Sequence, residues 1–336
     1  MANSNGITSS LPRPWRETPL IHSRRLSKHA GCQIYLKLEN LQPSGSFKSR
    51  GIGNFLLTHL ASTPNPSAIH FYTSSGGNAG LACVSAAITL GTAATIVVPL
   101  TTSAYMIAKL RAAGAQDVVQ VGESWVEADT HLREVVIPEA KAKGEESVYV
   151  PPFDAQEVWD GHATLVEEVV QQLDGKMDAL VCSVGGGGLF SGIMQGLEKA
   201  GLGGTKVVAV ETDGAHSLAL SLQEGKLSTL PAITSIATSL GARTVALRAF
   251  EHAQKENVQS VVLKDEDAIE GCVRFADDER IMVEPACGVS LVLCYGGRLK
   301  KFVPHLKEDS KVVIVVCGGS NISADVLAKW TTQQKG

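Results

Sequence analysis

Six apolar or small residues, Ala179-Leu180-Val181-Cys182-Ser183-Val184, run straight into four glycines, Gly185 to Gly188, and then into the helix-forming stretch Phe190 to Ala200. An uninterrupted run of this kind suits a strand buried on both faces, as in a parallel sheet covered by helices. Glycines between such a strand and a helix leave every amide free to face one anion at the positive end of the helix dipole. The competing reading is a tight turn with no ligand. Four consecutive glycines are entropically costly without a use.

The same order recurs along the chain. His70 to Thr73 reads as a strand, Ser74-Ser75-Gly76-Gly77-Asn78-Ala79-Gly80 as a turn, and Leu81 to Leu90 as an apolar helix. Cys32 to Glu39 alternates apolar and polar residues like a half-buried strand. Ala94 to Pro99, Asp117 to Val121, Lys206 to Glu211, Ser260 to Leu263 and Lys311 to Val316 read as further strands. Helices are expected at Arg50 to Leu60, Ser103 to Ala113, Ser124 to Lys143, Gln156 to Leu173, Asp265 to Asp277 and Val289 to Phe302. Residues 1 to 18 read as a loose arm. Alternation of this kind predicts an α/β fold. With 336 residues the chain exceeds one ordinary core, so two domains are expected.

Ser44-Gly45-Ser46-Phe47-Lys48-Ser49-Arg50-Gly51 places a lysine among small and hydroxyl residues, directly after an aromatic and where a loop becomes a helix. Small neighbours leave room for a bulky group against the amine. The phenyl ring offers a face to a planar ligand. A lysine amine in such a pocket can lose its proton and form a Schiff base with an aldehyde. A surface turn with a solvated lysine is the plainer alternative.

Other chemistries are disfavoured. Counting G-x-G-x-x-G from Gly186 puts Ser191 where the last glycine belongs, and G-x-x-x-x-G-K-[ST] is absent. The glycine run therefore suits a single phosphate better than a dinucleotide or a triphosphate. The net charge of -4 argues against nucleic-acid and anionic-membrane partners. The 7 cysteines form no C-x-x-C pair and read as reduced thiols. The start of the chain lacks the apolar core of a signal peptide, and no apolar run is long enough to span a membrane. A cytoplasmic protein is expected. The histidines do not follow the H-E-x-x-H spacing of a catalytic zinc site, and His216 reads as structural in preference to a catalytic base.

Taken together, four motifs in this order resemble the fold-type II pyridoxal-phosphate enzymes: the lysine stretch, Ser74 to Gly80, Gly185 to Leu189, and Cys317-Gly318-Gly319-Ser320-Asn321. Glu211-Thr212-x-Gly214-Ala215-His216-Ser217 and Val283-Glu284-Pro285-Ala286-Cys287-Gly288 make the chain look most like the short eukaryotic L-serine dehydratases, which also act on L-threonine. The resemblance runs from about Pro19 to Trp330. It implies a two-domain α/β fold like that of the tryptophan synthase β chain, with open, twisted, mostly parallel sheets and the cofactor in the interdomain cleft. The large domain would be residues 1–49 with 151–336, and the small domain residues 50–150.

The resemblance also implies roles. Lys48 would hold pyridoxal 5'-phosphate as a Schiff base and later act as the base. Phe47 would pack on one face of the pyridine ring, with Ser239 and Gly241 on the other side. Asn78 would meet the ring 3'-oxygen. Gly185, Gly186, Gly187, Gly188 and Leu189 would bind the phosphate, and Cys317 would face the ring nitrogen. Ser74, Ser75, Gly76 and Asn78 would hold the substrate carboxylate. A monovalent cation, potassium, would be held by Glu211 and by backbone oxygens of Gly185, Ala215, Ser217, Leu240 and Ala242. A homodimer is usual in the family.

The implied reaction is β-elimination from L-serine to pyruvate and ammonia, and from L-threonine to 2-oxobutanoate. Serine racemases of this fold carry a serine where this chain has Gly76, so racemization should be weak. A racemase or β-replacement enzyme of the same fold is the alternative enzyme, and a cofactor carrier without turnover the alternative non-enzyme.

Overall fold

A computed structural model describes residues 11–174 and 176–335. It contains ten strands among the described residues: β1 (Leu20–Ser23), β2 (Gln33–Lys37), β3 (Ile69–Thr73), β4 (Ala93–Val98), β5 (Asp117–Gln120), β6 (Glu146–Tyr149), β7 (Ala179–Ser183), β8 (Lys206–Thr212), β9 (Val258–Leu263) and β10 (Lys311–Val315). They form two sheets, ordered β1-β2-β10-β7-β8-β9 and β5-β4-β3-β6. Only β1 is antiparallel to its neighbour; every other pairing is parallel. The fold is the expected α/β arrangement with mostly parallel sheets.

The wholly buried β7 lies at the centre of the larger sheet, with Val181 opposite Ile314 on one side and Val208 on the other. Helices cover both faces, as continuous apolar strands require. One core surrounds β2, β7, β8 and β10. A second surrounds β3 and β4 and includes Ile52, Phe55, Leu56 and Leu60 of the helix Lys48–Ser62.

Parallel strands end on the same side, and ligands bind beyond those carboxyl ends. In the larger sheet β2 feeds the segment leading to Lys48, β7 the four glycines, β8 Glu211 and Thr212, and β10 the Cys317 loop. In the smaller sheet β3 feeds Ser74 to Asn78.

Four charged side chains lock the lysine helix in place. Arg50 and Glu39 are fully buried, and Lys37 and Glu168 are also buried. Arg50 bridges Glu39 (Nε–Oε2 2.7 Å) and Glu168 (NH1–Oε1 2.6 Å), while Lys37 Nζ reaches Glu168 at 2.6 Å. Burial alone would raise the Glu168 pKa, but Arg50 and Lys37 outweigh it and hold the carboxyl low. Burial depresses Lys37 despite its partner. The polar face of the strand Cys32 to Glu39 therefore meets this ion cluster where alternation predicted solvent.

Alternation and length left other features unread. Residues 1–10 of the expected arm lie outside the described residues. Beyond them the arm is docked: Pro14 and Trp15 are buried, and Thr18 Oγ1 donates to Glu39 at 2.6 Å. Ser124 to Lys143 is not one regular helix. It runs as Trp125–His131, a π-turn at Leu132–Val136, and Ile137–Ala142. The stretch Val289 to Phe302 is likewise broken, into the end of the helix Pro285–Leu291, a short 3-10 turn and the helix Arg298–Phe302.

Candidate active site

The loops at the strand ends close into a ring. Phe47 N donates to Cys317 O at 3.2 Å, and Gly319 N to Gly45 O at 3.0 Å, so the lysine loop is stitched to the loop after β10. Lys48, first residue of its helix, donates from Nζ to Pro152 O at 2.5 Å. The neighbouring Phe153 packs on the glycine run: a Cβ at Gly188 would lie 2.6 Å from Phe153 O. Gly185 packs in turn on Leu240, where a Cβ would come within 2.9 Å of Leu240 Cα. Next to Leu240, Ser239 accepts from Asn78 Nδ2 at 3.2 Å. Asn78 Oδ1 accepts from Ser320 N at 2.9 Å, which returns to the Cys317 loop.

Lys48 is half-buried, with Nζ 5.3 Å from the centre of the Phe47 ring. Loss of water lowers its pKa to about 8. Far more of the amine is therefore neutral near physiological pH than for an ordinary lysine, and the neutral form can attack an aldehyde. At Cys317 a hydrogen bond with the Cys287 thiol, and then burial, push the thiol far above its ordinary pKa, so it stays neutral.

The glycine run opens the helix Gly188–Lys199. Gly187 has φ +89, and a side chain there would also overlap Ala249. Among the described hydrogen bonds, none uses the amides of Gly185, Gly186, Gly187, Gly188 or Leu189 as donors. Unsatisfied amides at a helix start form an anion site.

A family model described as "Pyridoxal-phosphate dependent enzyme" matches residues 11–318. The chain belongs to this pyridoxal-phosphate dependent family. It is 42% identical to the "L-serine dehydratase" of Saccharomyces cerevisiae (strain AWRI1631), covering 94% of this chain and 96% of the relative. To the human "L-serine dehydratase/L-threonine deaminase" it is 44% identical, over 91% of this chain and 92% of the relative. Among solved structures, the L-serine ammonia-lyase of Rhizomucor miehei superposes with a TM-score of 0.87 at 34% identity, covering 95% of this chain and 98% of that one.

The residues present fit pyridoxal phosphate. An amine of lowered pKa suits the aldehyde, an aromatic face lies beside it, and unsatisfied amides at a helix start suit the phosphate. The Cys317 thiol, kept neutral, would be a weak partner for a ring nitrogen.

Of the residues expected around a cation, Gly185 and Glu211 are brought close by the paired strands β7 and β8, with Val184 N donating to Val210 O at 2.8 Å, and Ala215 N donates to Thr212 O at 2.9 Å. Glu211 is fully buried and accepts from Leu218 N (2.9 Å) and Ala219 N (2.8 Å). Burial nonetheless raises its pKa to about 8. Among the described residues, the buried Ser217 hydroxyl has no hydrogen-bond partner. Gly185 touches Leu240, and Ala242 N donates to Leu240 O at 2.7 Å. His216 is engaged locally, with Nδ1 accepting from Gly214 N at 3.1 Å.

Within the loop Ser74 to Asn78, Ser75 Oγ accepts from Gly77 N at 3.4 Å, at the start of the helix Asn78–Leu90. Ser74 Oγ instead donates to Asp129 at 2.6 Å, and Asp129 also binds Tyr149 OH (2.7 Å) and Arg133 Nε (2.9 Å). Asp129 and Arg133 flank the start of the π-turn, a helix irregularity frequent at functional sites. Sequence reasoning missed three further residues. They are Asp129, Glu284 beside Asn78, and His162, which packs on Phe47 with ring centres 5.2 Å apart. Both His162 nitrogens are buried without partners among the described residues, and burial holds the ring neutral. Of the three, only Glu284 carried a signal, as part of a quoted motif.

Proposed function

We propose that this chain is an L-serine dehydratase, converting L-serine to pyruvate and ammonia and L-threonine to 2-oxobutanoate and ammonia. The observation that carries the reading is the closed ring, which joins an amine of lowered pKa, a set of unsatisfied amides and the Ser74 to Asn78 loop. Identity of 41% or more to proteins named as serine or serine/threonine dehydratases supports the substrate class.

In this reading Phe47, Lys48, Asn78, Gly185 to Leu189, Ser239, Gly241 and Cys317 hold pyridoxal phosphate. When bound, that group supplies an electron sink for negative charge at the substrate Cα. The amides and hydroxyls of the loop Ser75 to Asn78 take the substrate carboxylate at the helix start, and Ser74, tied to Asp129, fixes that loop from behind. The Lys48 amine takes the Cα proton. The Cβ–O bond then breaks, and the hydroxyl leaves as water after accepting a proton. The released aminoacrylate adds water and separates into pyruvate and ammonia.

Gly76 favours elimination over racemization. It offers no proton-transfer group, and a Cβ there would already lie 3.1 Å from Thr102 Cγ2 and from Val98 Cγ1. Potassium held by Glu211 and the carbonyls of Gly185, Ala215, Ser217, Leu240 and Ala242 belongs to the same proposal; oxygen donors are the right chemistry for a hard cation. So do a homodimer, a cytoplasmic setting, and a division into two units near residues 50 and 150.

The test is incubation of the purified, cofactor-loaded protein with L-serine and L-threonine, reading 2-oxo acid and D-serine separately. Oxo acid without D-serine is expected. D-serine without oxo acid would make the chain a racemase.

A further inference from the structure

The stretch Val283 to Gly288 has so far had no task, although Glu284 lies at the centre of the ring's polar contacts. Glu284 is 3% exposed. Its Oε1 accepts from Asn78 Nδ2 at 2.9 Å and its Oε2 from Asn321 N at 3.0 Å. Burial pushes the carboxyl upward, opposed by hydrogen bonds from Ser239, Asn321, Asn78 and Ser320. Each of these contacts is a donor, so the site is built for an acceptor.

The orientation of Asn78 follows from its neighbours. The Ser320 backbone N–H can only donate, so the atom facing it at 2.9 Å is Oδ1. Nδ2 must then face Glu284 and Ser239. Gly319, with φ +112, makes room: a side chain there would overlap the Glu284 carboxyl. Ser239 is itself held by Asn321 Nδ2 at 3.0 Å. The loop after β10, the start of the helix Pro285–Leu291 and the start of the helix Asn78–Leu90 thus meet at one carboxylate.

We propose that Glu284 is the positioning residue for Asn78: it holds one Nδ2 hydrogen at 2.9 Å, so that the other, which here reaches Ser239 Oγ at 3.2 Å, is the one that turns to the ring oxygen of the cofactor. The inference rests on the reading that Asn78 faces the cofactor. Glu284 acts through Asn78 and makes no contact with the substrate. Glu284→Gln keeps the shape but brings an NH2 group. Whichever way that amide turns, one donor meets another, at Asn78 Nδ2 or at Asn321 N.

The experiment compares cofactor-loaded wild type, Asn78→Ala, Glu284→Gln and the double variant. It reads the visible spectrum of the bound cofactor against pH, together with kcat and KM for L-serine. The single variants should shift the spectrum or its pH midpoint in the same direction. Glu284→Gln should lower kcat about tenfold or more and change KM less than about threefold, and it should add nothing to Asn78→Ala. A spectrum moved by Asn78→Ala but not by Glu284→Gln would overturn the inference, as would effects that add in the double variant. A spectrum unmoved by Asn78→Ala would instead sink the placement of Asn78 at the cofactor. Should Glu284→Gln fail to fold, Glu284→Asp serves. It keeps the acceptor but draws it back, so a shifted spectrum is expected and an unchanged one overturns the inference.

Discussion

Two residues carry opposite mismatches between charge and burial, and each gives a pH dependence. Lys48 is held at about 8 against its ordinary 10.5. Below the folded value its charge is buried at a cost, and that cost is relieved as pH rises from about 8 toward 10.5. Loading of pyridoxal phosphate onto the apoprotein should therefore accelerate with pH and level off above about 8, read by growth of the visible absorbance. A rate flat across that range would contradict the assignment of the neutral amine. Glu211 is raised from 4.5 to about 8. The folded chain keeps a proton there that the unfolded chain releases, so this group's contribution is fullest below 4.5 and is lost as pH rises through about 8. A bound potassium ion would take the proton's place. The gain in Tm from potassium chloride, over an organic-cation salt of equal ionic strength, should be larger above pH ~8 than at pH ~6. Equal gains at both would remove Glu211 from the cation site.

At the scale of elements, two devices fix the lysine and the glycine run. The helix Lys48–Ser62 crosses the helix Gln156–Gln172 so closely that a Cβ at Gly161 would lie 2.8 Å from Gly51 Cα. Arg50 then ties that crossing to Glu39 and Glu168. Arg50→Met leaves Glu39 buried without its cation and Glu168 with Lys37 alone, and should cost about 3–5 kcal/mol in urea unfolding, the usual penalty for breaking a buried pair from one side. A loss below about 1 kcal/mol would mean the cluster is open to water. Gly187→Ala would strain a backbone at φ +89 and press on Ala249. Its expected effect is weaker retention of pyridoxal phosphate on dialysis, with the fold intact by circular dichroism. These elements were unevenly legible in the sequence. The buried strands and glycine turns announced themselves because parallel strands are apolar throughout. The ion cluster did not, since Lys37 and Glu39 occupy the polar positions of an alternating strand and only tertiary packing encloses them. The π-turn at Leu132–Val136 leaves no trace in helical periodicity.

For the whole molecule, two mostly parallel sheets deliver their loops to one place, so motifs far apart in the chain become neighbours. The loops holding Lys48, Asn78 and the four glycines were each readable as local patterns, whereas Cys317 gained a role only from the resemblance that their order carries. Their supports were not readable. Glu284, Asp129 and His162 act on a motif from other elements, and nothing in their local sequence says which residue they will meet. The central claim is that the ring is a dehydratase site built on Lys48. The most direct measurement is release of pyruvate from L-serine by the purified, cofactor-loaded protein, beside Lys48→Ala prepared in the same way. Steady pyruvate formation by the wild type and background formation by a folded Lys48→Ala is the predicted result. A cofactor-loaded wild type that forms no pyruvate, or a Lys48→Ala variant that keeps forming it, would contradict the account.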